Sequence, residues 1–388
     1  MESPLGSPTG TRKTSVFSTP VGNIKSSPFQ DVNGRRFHND KACVYILPCD
    51  IPELTRQGLK HHLFKEVFGG YHMADFSDPR KIPSRVLDIG CGTGIWIASM
   101  HDEFAARGRD DVKFVGMDVV PVFAPMTGVN FTFVRHNCLN IPFPFQDGEF
   151  DYIFVRDLSP AIPSTSAQSD VLAECLRVLG EGGIMEIQCT DFTIRSISQT
   201  KAPRTSSSAY TITTSTQFES QAQNEHVQFF NNCVSKILAK RALTPIPCST
   251  IGMLFSMEDC LVNNHSVRYA LPLDEIWWES GSRKDTSPTS ESGDRSESKR
   301  KNSASAKNAL DQLSTLSEND LALRYQAKLQ VKQLIDSLEP YWNETRDLPG
   351  EDFNKPYREM TASFFQEDGL RNGECLEFGA WWGTKKSC

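Results

Sequence analysis

The chain has 388 residues, 38% of them hydrophobic and 10% aromatic, enough for one large domain with insertions or for two domains. A net charge of -7 gives the whole chain no electrostatic footprint for general binding to DNA or RNA. No apolar run approaches the roughly 18 residues of a membrane span or forms the core of a signal peptide, which excludes an integral membrane protein. The eleven cysteines include no CxxC pair, so they are expected as reduced thiols of an intracellular protein rather than as a zinc site or a disulfide framework.

Residues 1–33 are rich in Ser, Pro, Thr and Gly and are expected to be disordered, because such a segment buries too little apolar surface to offset its ordering entropy. Residues 34–70 follow as an N-terminal block. Tyr45-Ile-Leu47 reads as a strand-like start, then comes a turn, and then an amphipathic helix with Leu59, His61, His62 and Leu63 that is placed to lid a pocket.

From Arg85 onwards strands and helices alternate. Arg85–Ile89 is a short apolar strand, followed by a helix with Ile97, Met100 and Phe104 on one face and Gly108 at its end. Further strands are predicted at Val112–Met117, Phe131–Val134 and Phe150–Val155. A helix carrying Leu172, Cys175, Leu176 and Leu179 comes next, then a turn at Gly180–Gly183 and a strand at Ile184–Ile187. Gln199–Thr216 reads as a surface loop. Apolar stripes at Phe230, Cys233, Val234, Ile237 and Leu238, and at Val331, Leu334, Ile335 and Leu338, are expected as core-packing helices.

Residues 279–317 hold Ser and charged residues with no Phe, Trp, Tyr, Val or Ile, and read as a disordered insertion. Late strands near Ser266–Leu271 and Cys375–Gly383 bracket it, so residues 34–278 form the domain and 318–388 complete it. Regular alternation implies an α/β fold with right-handed crossovers and a mostly parallel sheet covered on both faces.

The chemistry concentrates at Gly90-Cys91-Gly92-Thr93-Gly94, between the first strand and its helix. Glycines at these positions let the backbone approach a ligand and take positive φ. A dinucleotide-binding turn would place its third glycine one residue later, where Ile95 stands. The spacing after Leu87-Asp88-Ile89 is instead that of a turn for S-adenosylmethionine (SAM). Asp118, at the end of the next strand, is placed to accept both ribose hydroxyls. Asn137 and Cys138 are placed to meet the adenine. The cofactor-binding set is thus Asp88, Gly90, Cys91, Gly92, Gly94, Asp118, Asn137 and Cys138, and no metal is implied.

Arg156–Pro160 ends the fourth strand on the expected substrate side, without the Asn/Asp-Pro-Pro-aromatic tetrad of base amino-methyltransferases. Asp157 is the candidate catalytic residue there, with helix capping as its alternative role. No general base stands out, and methyl transfer can proceed by alignment alone.

Gly34-Arg-Arg-Phe-His38, Tyr45, Pro48-Cys-Asp50, Glu53, Arg56 and His61-His62 precede Leu-Asp-Ile-Gly-Cys-Gly-Thr-Gly-Ile-Trp96, and Gly383-Thr-Lys-Lys386 lies near the end. This order resembles the LaeA-like fungal methyltransferases, including their VipC/VapB type, over residues 33–278 and more weakly over 318–386. The resemblance implies a class I methyltransferase fold: a Rossmann-like, doubly wound, mostly parallel seven-stranded sheet with an antiparallel last strand. It further implies Tyr45, Arg56 and His62 closing over the cofactor, and a role in secondary metabolism and development. The implied partners are a velvet-family protein, a second LaeA-like methyltransferase and a membrane-tethering zinc-finger protein, in nucleus and cytoplasm. Cys49, Ile51 and Gln57-Gly58 depart from the family pattern. A biosynthetic O- or N-methyltransferase for a small molecule, and a SAM-binding scaffold without catalysis, are the competing readings.

Overall fold

The computed structural model describes residues 27–198, 204–205, 208–213, 218–219, 221–279, 316–345, 354–366 and 369–387. Phe29–Val32 (β1) and Arg35–His38 (β2) form an antiparallel hairpin, with Phe29 opposite His38. Its two-residue turn is Asn33-Gly34, with φ of 51° and 78°, the geometry for which Asn-Gly is the favoured pair. The expected disorder of residues 1–33 is therefore corrected for Phe29–Asn33, while residues 1–26 lie outside the described residues.

Tyr45–Leu47 belongs to no strand, contrary to the strand-like reading; it leads directly into the helix Ile51–Phe68 (α1). Asp50 caps that helix by accepting the Glu53 N–H at 3.3 Å, and Gly69 ends it in the left-handed region. Asp50 also holds Arg35 of the hairpin at 2.6 Å, so the N-terminal block is tied together.

The central elements follow the predicted alternation: Arg85–Ile89 (β3), Ile95–Ala105 (α2), Lys113–Asp118 (β4), Phe131–Arg135 (β5), Phe150–Arg156 (β6), Ser164–Val178 (α3) and Leu179–Thr190 (β7). Short strands Arg195–Ile197 (β8), Tyr210–Thr211 (β9) and Phe218–Glu219 (β10) precede helices Glu225–Ala239 (α4) and Pro247–Ser256 (α5). The long strand Leu261–Pro272 (β11), helices Glu318–Ser337 (α6) and Asn354–Phe364 (α7), and the strand Glu374–Lys385 (β12) complete the chain.

Seven strands make the main sheet in the order β5-β4-β3-β6-β7-β12-β11, with β8, β9 and β10 added at its margin. Strands β3 to β7 pair in parallel, and β12 runs antiparallel to both β7 and β11. This is the expected class I architecture. Its connections leave in opposite directions on either side of the β3/β6 junction, so a crevice opens at the carboxyl ends of these two strands.

Apolar side chains cover both faces of the sheet. Trp96, Met100 and Phe104 of α2 pack on Phe114, Tyr152 and Phe154, and the Trp96 and Phe154 rings stack at 3.8 Å. On the opposite face Leu172, Cys175 and Leu176 of α3 meet Ile153 and Val155. Leu63 and Phe64 of α1, Phe230 of α4 and Val331 and Ile335 of α6 share a further core with Phe378. Both expected apolar stripes are thus core, and truncating a buried Phe such as Phe230 to Ala costs about 3–5 kcal/mol.

Three boundaries differ from the sequence reading. Leu179 leaves the helical stripe to open β7, and Gly180–Gly183 runs within that strand, where the pairing with β6 shifts register between Phe150 and Tyr152. The presumed surface loop Gln199–Thr216 contributes β9, with Ala209 and Tyr210 buried. Glu279, placed at the start of the insertion, is a buried partner of Arg324 at 2.6 Å, and Ser317, placed at its end, caps α6 with Asp320 in a reciprocal capping box. Residues 280–315 of that insertion lie outside the described residues.

Candidate cofactor site

The crevice is a cavity with about 170 Å³ of free volume, walled by the β3 and β6 loops, the end of β4 and the lid helix α1. Gly90, Gly92 and Gly94 sit at φ of 73°, 50° and 71°, the left-handed region that a side chain disfavours. A Cβ at Gly94 would lie 2.0 Å from Met126 Cε, and one at Gly90 would lie 2.8 Å from Leu158 Cδ1. The turn is therefore reserved for bare backbone.

Asp118 Oδ2 accepts the Gly92 N–H at 2.9 Å, and Oδ1 accepts the Val120 N–H at 3.3 Å. Those bonds lock the turn to the strand end and leave further lone pairs free toward the cavity for a pair of hydroxyls. Burial raises the Asp118 carboxyl above its ordinary value, with its backbone donors opposing. Asp88, at the other side of the turn, is 3% exposed, and burial pushes it up to about 7. A glycine cradle beside a strand-end carboxylate fits the adenosyl end of SAM, which Gly92 and Asp118 would hold.

The remaining cofactor residues expected from the sequence also line the cavity, but several are already engaged. Asn137 is 3% exposed; its amide nitrogen donates to Asp40 at 3.1 Å and its oxygen accepts the Leu139 N–H at 3.0 Å. Its side chain thus ties the adenine-side loop to the N-terminal block. Cys91 packs towards β4, where a Cβ on Gly116 would meet its Sγ at 2.8 Å. Burial pushes the Cys138 thiol up to about 12 and Cys49 to about 12, so neither is a nucleophile.

From the lid, Tyr45 and Arg56 reach the cavity wall. Arg56 grips Glu53 through two bonds of 2.8 and 2.6 Å, and Glu53 also accepts from Ser337 of α6. The third expected lid residue, His62, is exposed, whereas His61 is 2% exposed and lines the cavity. That expectation is corrected by one position: on α1 the residues lining the cavity include Arg56, Lys60, His61 and Phe64, whereas His62 is exposed.

Asp157 does not cap a helix, since the short 3-10 turn Ser159–Ala161 has no side-chain cap. It takes φ of 52°, accepts the Thr190 N–H at 3.0 Å and pairs with Lys60 of the lid at 2.6 Å. Burial lowers the Lys60 ammonium below its usual value, with Asp157 opposing. Lys60 was not singled out in the sequence. Its signal was there: Glu53, Arg56, Lys60 and Phe64 recur at helical spacing.

Residues 86–183 match a family model described as a methyltransferase domain. The secondary metabolism regulator LAE1 of Cochliobolus heterostrophus is 28% identical over 169 residues, which cover 42% of this chain and 53% of that protein. The secondary metabolism regulator laeA of Coprinopsis cinerea is 34% identical over 170 residues, covering 42% of this chain and 39% of that protein. The protein-methionine methyltransferase laeA of Emericella nidulans is 28% identical over 139 residues, covering 34% of each. The matched region thus spans between a third and about half the length of these relatives. Residues 86–183 thus carry a methyltransferase domain, and over about a third to two fifths of its length the chain is similar to these LaeA-type proteins.

Proposed function

We propose that this chain is a SAM-dependent methyltransferase acting as a regulatory component of a fungal complex for secondary metabolism or development, with protein as its methyl acceptor. One observation carries the catalytic part: Asp118 clamps Gly92 at 2.9 Å at the topological switch point, directly under a lid helix. When bound, SAM supplies a methyl group activated on a sulfonium. Asp118 and the glycine turn fix the adenosyl end, α1 excludes water, and Lys60, Asp157 and Thr190 border the acceptor side. Alignment of an acceptor lone pair there lowers the barrier without a dedicated base.

The regulatory part rests on the relatives, whose names describe regulators of secondary metabolism and, in one case, a protein-methionine methyltransferase. A velvet-family protein, a second LaeA-like methyltransferase or a zinc-finger tether is the proposed partner, in nucleus and cytoplasm. No helix among the described residues is long and apolar enough to cross a membrane. SAM tritiated on its methyl group, added with the protein to extract of the native organism, tests the reading. Labelled protein that disappears with Gly92→Arg is the expected result; label confined to small molecules supports a biosynthetic enzyme, and none in either fraction refutes catalysis.

A further inference from the structure

The strongest unassigned feature of the cavity is the guanidinium of Arg156. It stands at the end of β6, lines the crevice and lies over the rings of Phe64 and Phe154 at 5.3 and 5.7 Å. Its side chain makes one hydrogen bond among the described residues, to His61 Nδ1 at 3.0 Å. A guanidinium has several more N–H donors, fixed in a planar fork, and a partly buried fork without an anion is costly.

The single bond it makes is oriented from the lid. Ser99 Oγ donates its proton to Ile95 O at 2.9 Å, so it accepts from His61 Nε2 at 3.1 Å. That leaves His61 Nδ1 with its lone pair, which receives the Arg156 N–H. The tautomer follows from the donor count, and His61 stays neutral: burial and the Arg156 charge push it down to about 3. Tyr71 stacks on the imidazole at 5.2 Å and fixes its plane. Arg156 is therefore aimed by a residue of the lid, with most of its fork left unpaired.

Asp88 supplies the opposite charge. It lies on β3 opposite Phe154 of β6, two residues before Arg156, and its carboxylate interacts with that guanidinium through space without a hydrogen bond. A carboxylate and an aimed guanidinium on neighbouring strand ends match a zwitterion, an ammonium for Asp88 and a carboxylate for Arg156. We infer that Arg156, positioned by the lid's His61, binds the carboxylate of the cofactor's methionyl end. The inference rests on the SAM reading above.

Decarboxylated SAM, which keeps the ammonium and sulfonium but lacks the carboxylate, isolates this contact. Calorimetry on the full chain is expected to give wild type a preference for SAM over the decarboxylated form of about ten- to a hundred-fold, the range of a charge-assisted bond. Arg156→Met is expected to bind both about equally, with affinity for the decarboxylated form retained as proof of an intact pocket. Should that variant misfold, Arg156→Lys, which keeps the charge but not the fork, is expected to lose part of the preference. His61→Leu is expected to reduce the preference several-fold and His61→Asn, whose amide oxygen can accept the same bond, to restore it. A wild-type preference that survives in the Arg156 variants, or equal binding of both ligands by wild type, overturns the inference. If wild type binds neither ligand, the SAM reading itself fails.

Discussion

At the scale of the residue, the site is a set of buried charges, and Asp88 makes their consequence measurable. Burial raises its carboxyl from 3.8 to about 7 in the free chain. Between those values the folded chain holds a proton that the unfolded chain has released, so this residue's contribution to stability falls as pH rises through the window. Binding runs the other way: a cationic ligand end favours the ionised carboxylate, so SAM affinity is expected to rise with pH, roughly ten-fold between about pH 6 and pH 8. Calorimetry across that range checks it, and Asp88→Asn is expected to flatten the profile; an unchanged slope in the variant assigns the effect to another group. The glycine turn and Asp118 were legible in the sequence because the turn is local and its spacing is distinctive. Arg156 and His61 were not legible as a pair, because they lie 95 residues apart and meet only through the packing of α1 over the end of β6. His62 shows the same limit from the other side, since a His-His pair does not reveal which imidazole faces inward.

The element that decides access is α1, tied to its surroundings through Glu53 and through Lys60. Glu53 is fully buried, pairs with Arg56 at 2.6 Å and accepts from Ser337 of α6 at 2.7 Å, so it joins the lid to the helix behind it. Glu53→Ala leaves the Arg56 charge buried without its partner, and a loss of about 3–5 kcal/mol in denaturant unfolding is expected. A loss below about 1 kcal/mol would mean that solvent reaches Arg56. The second pair, Lys60 with Asp157, links the lid to the acceptor side. Asp157→Ala is expected to leave SAM affinity within about three-fold while slowing methyl transfer and quickening hydrogen exchange along 51–68. A full loss of SAM binding would place Asp157 in the cofactor site instead. Periodicity revealed these helices and the central strands, because long amphipathic stripes and apolar runs carry strong local signals. The hairpin of β1 and β2 escaped it: each strand has only 4 residues, and its main cue is the Asn33-Gly34 turn. Leu179 continued a helical stripe by spacing alone, whereas the backbone there had already entered β7.

For the whole molecule, one sheet with a single switch point sets where chemistry occurs, and the N-terminal block and α6 are arranged around that crevice. Alternation made the α/β sheet legible and located the late pair β11 and β12 on either side of the insertion, while the class I order was what the family resemblance implied. The joint that brings those flanks together, Arg324 with Glu279, was hidden because Glu279 read as part of the polar insertion and its partner lies 45 residues further on. All further claims, regulatory or catalytic, depend on the crevice receiving SAM. The most direct measurement is a calorimetric titration of the full chain with SAM, in wild type, Gly92→Arg and Asp118→Ala. One site is expected in wild type, weakening by about ten-fold or more in Asp118→Ala with loss of its charge-assisted bonds, and no binding in Gly92→Arg, whose side chain would fill the cradle. Wild-type affinity in both variants, or no binding by wild type, would contradict SAM binding in the crevice.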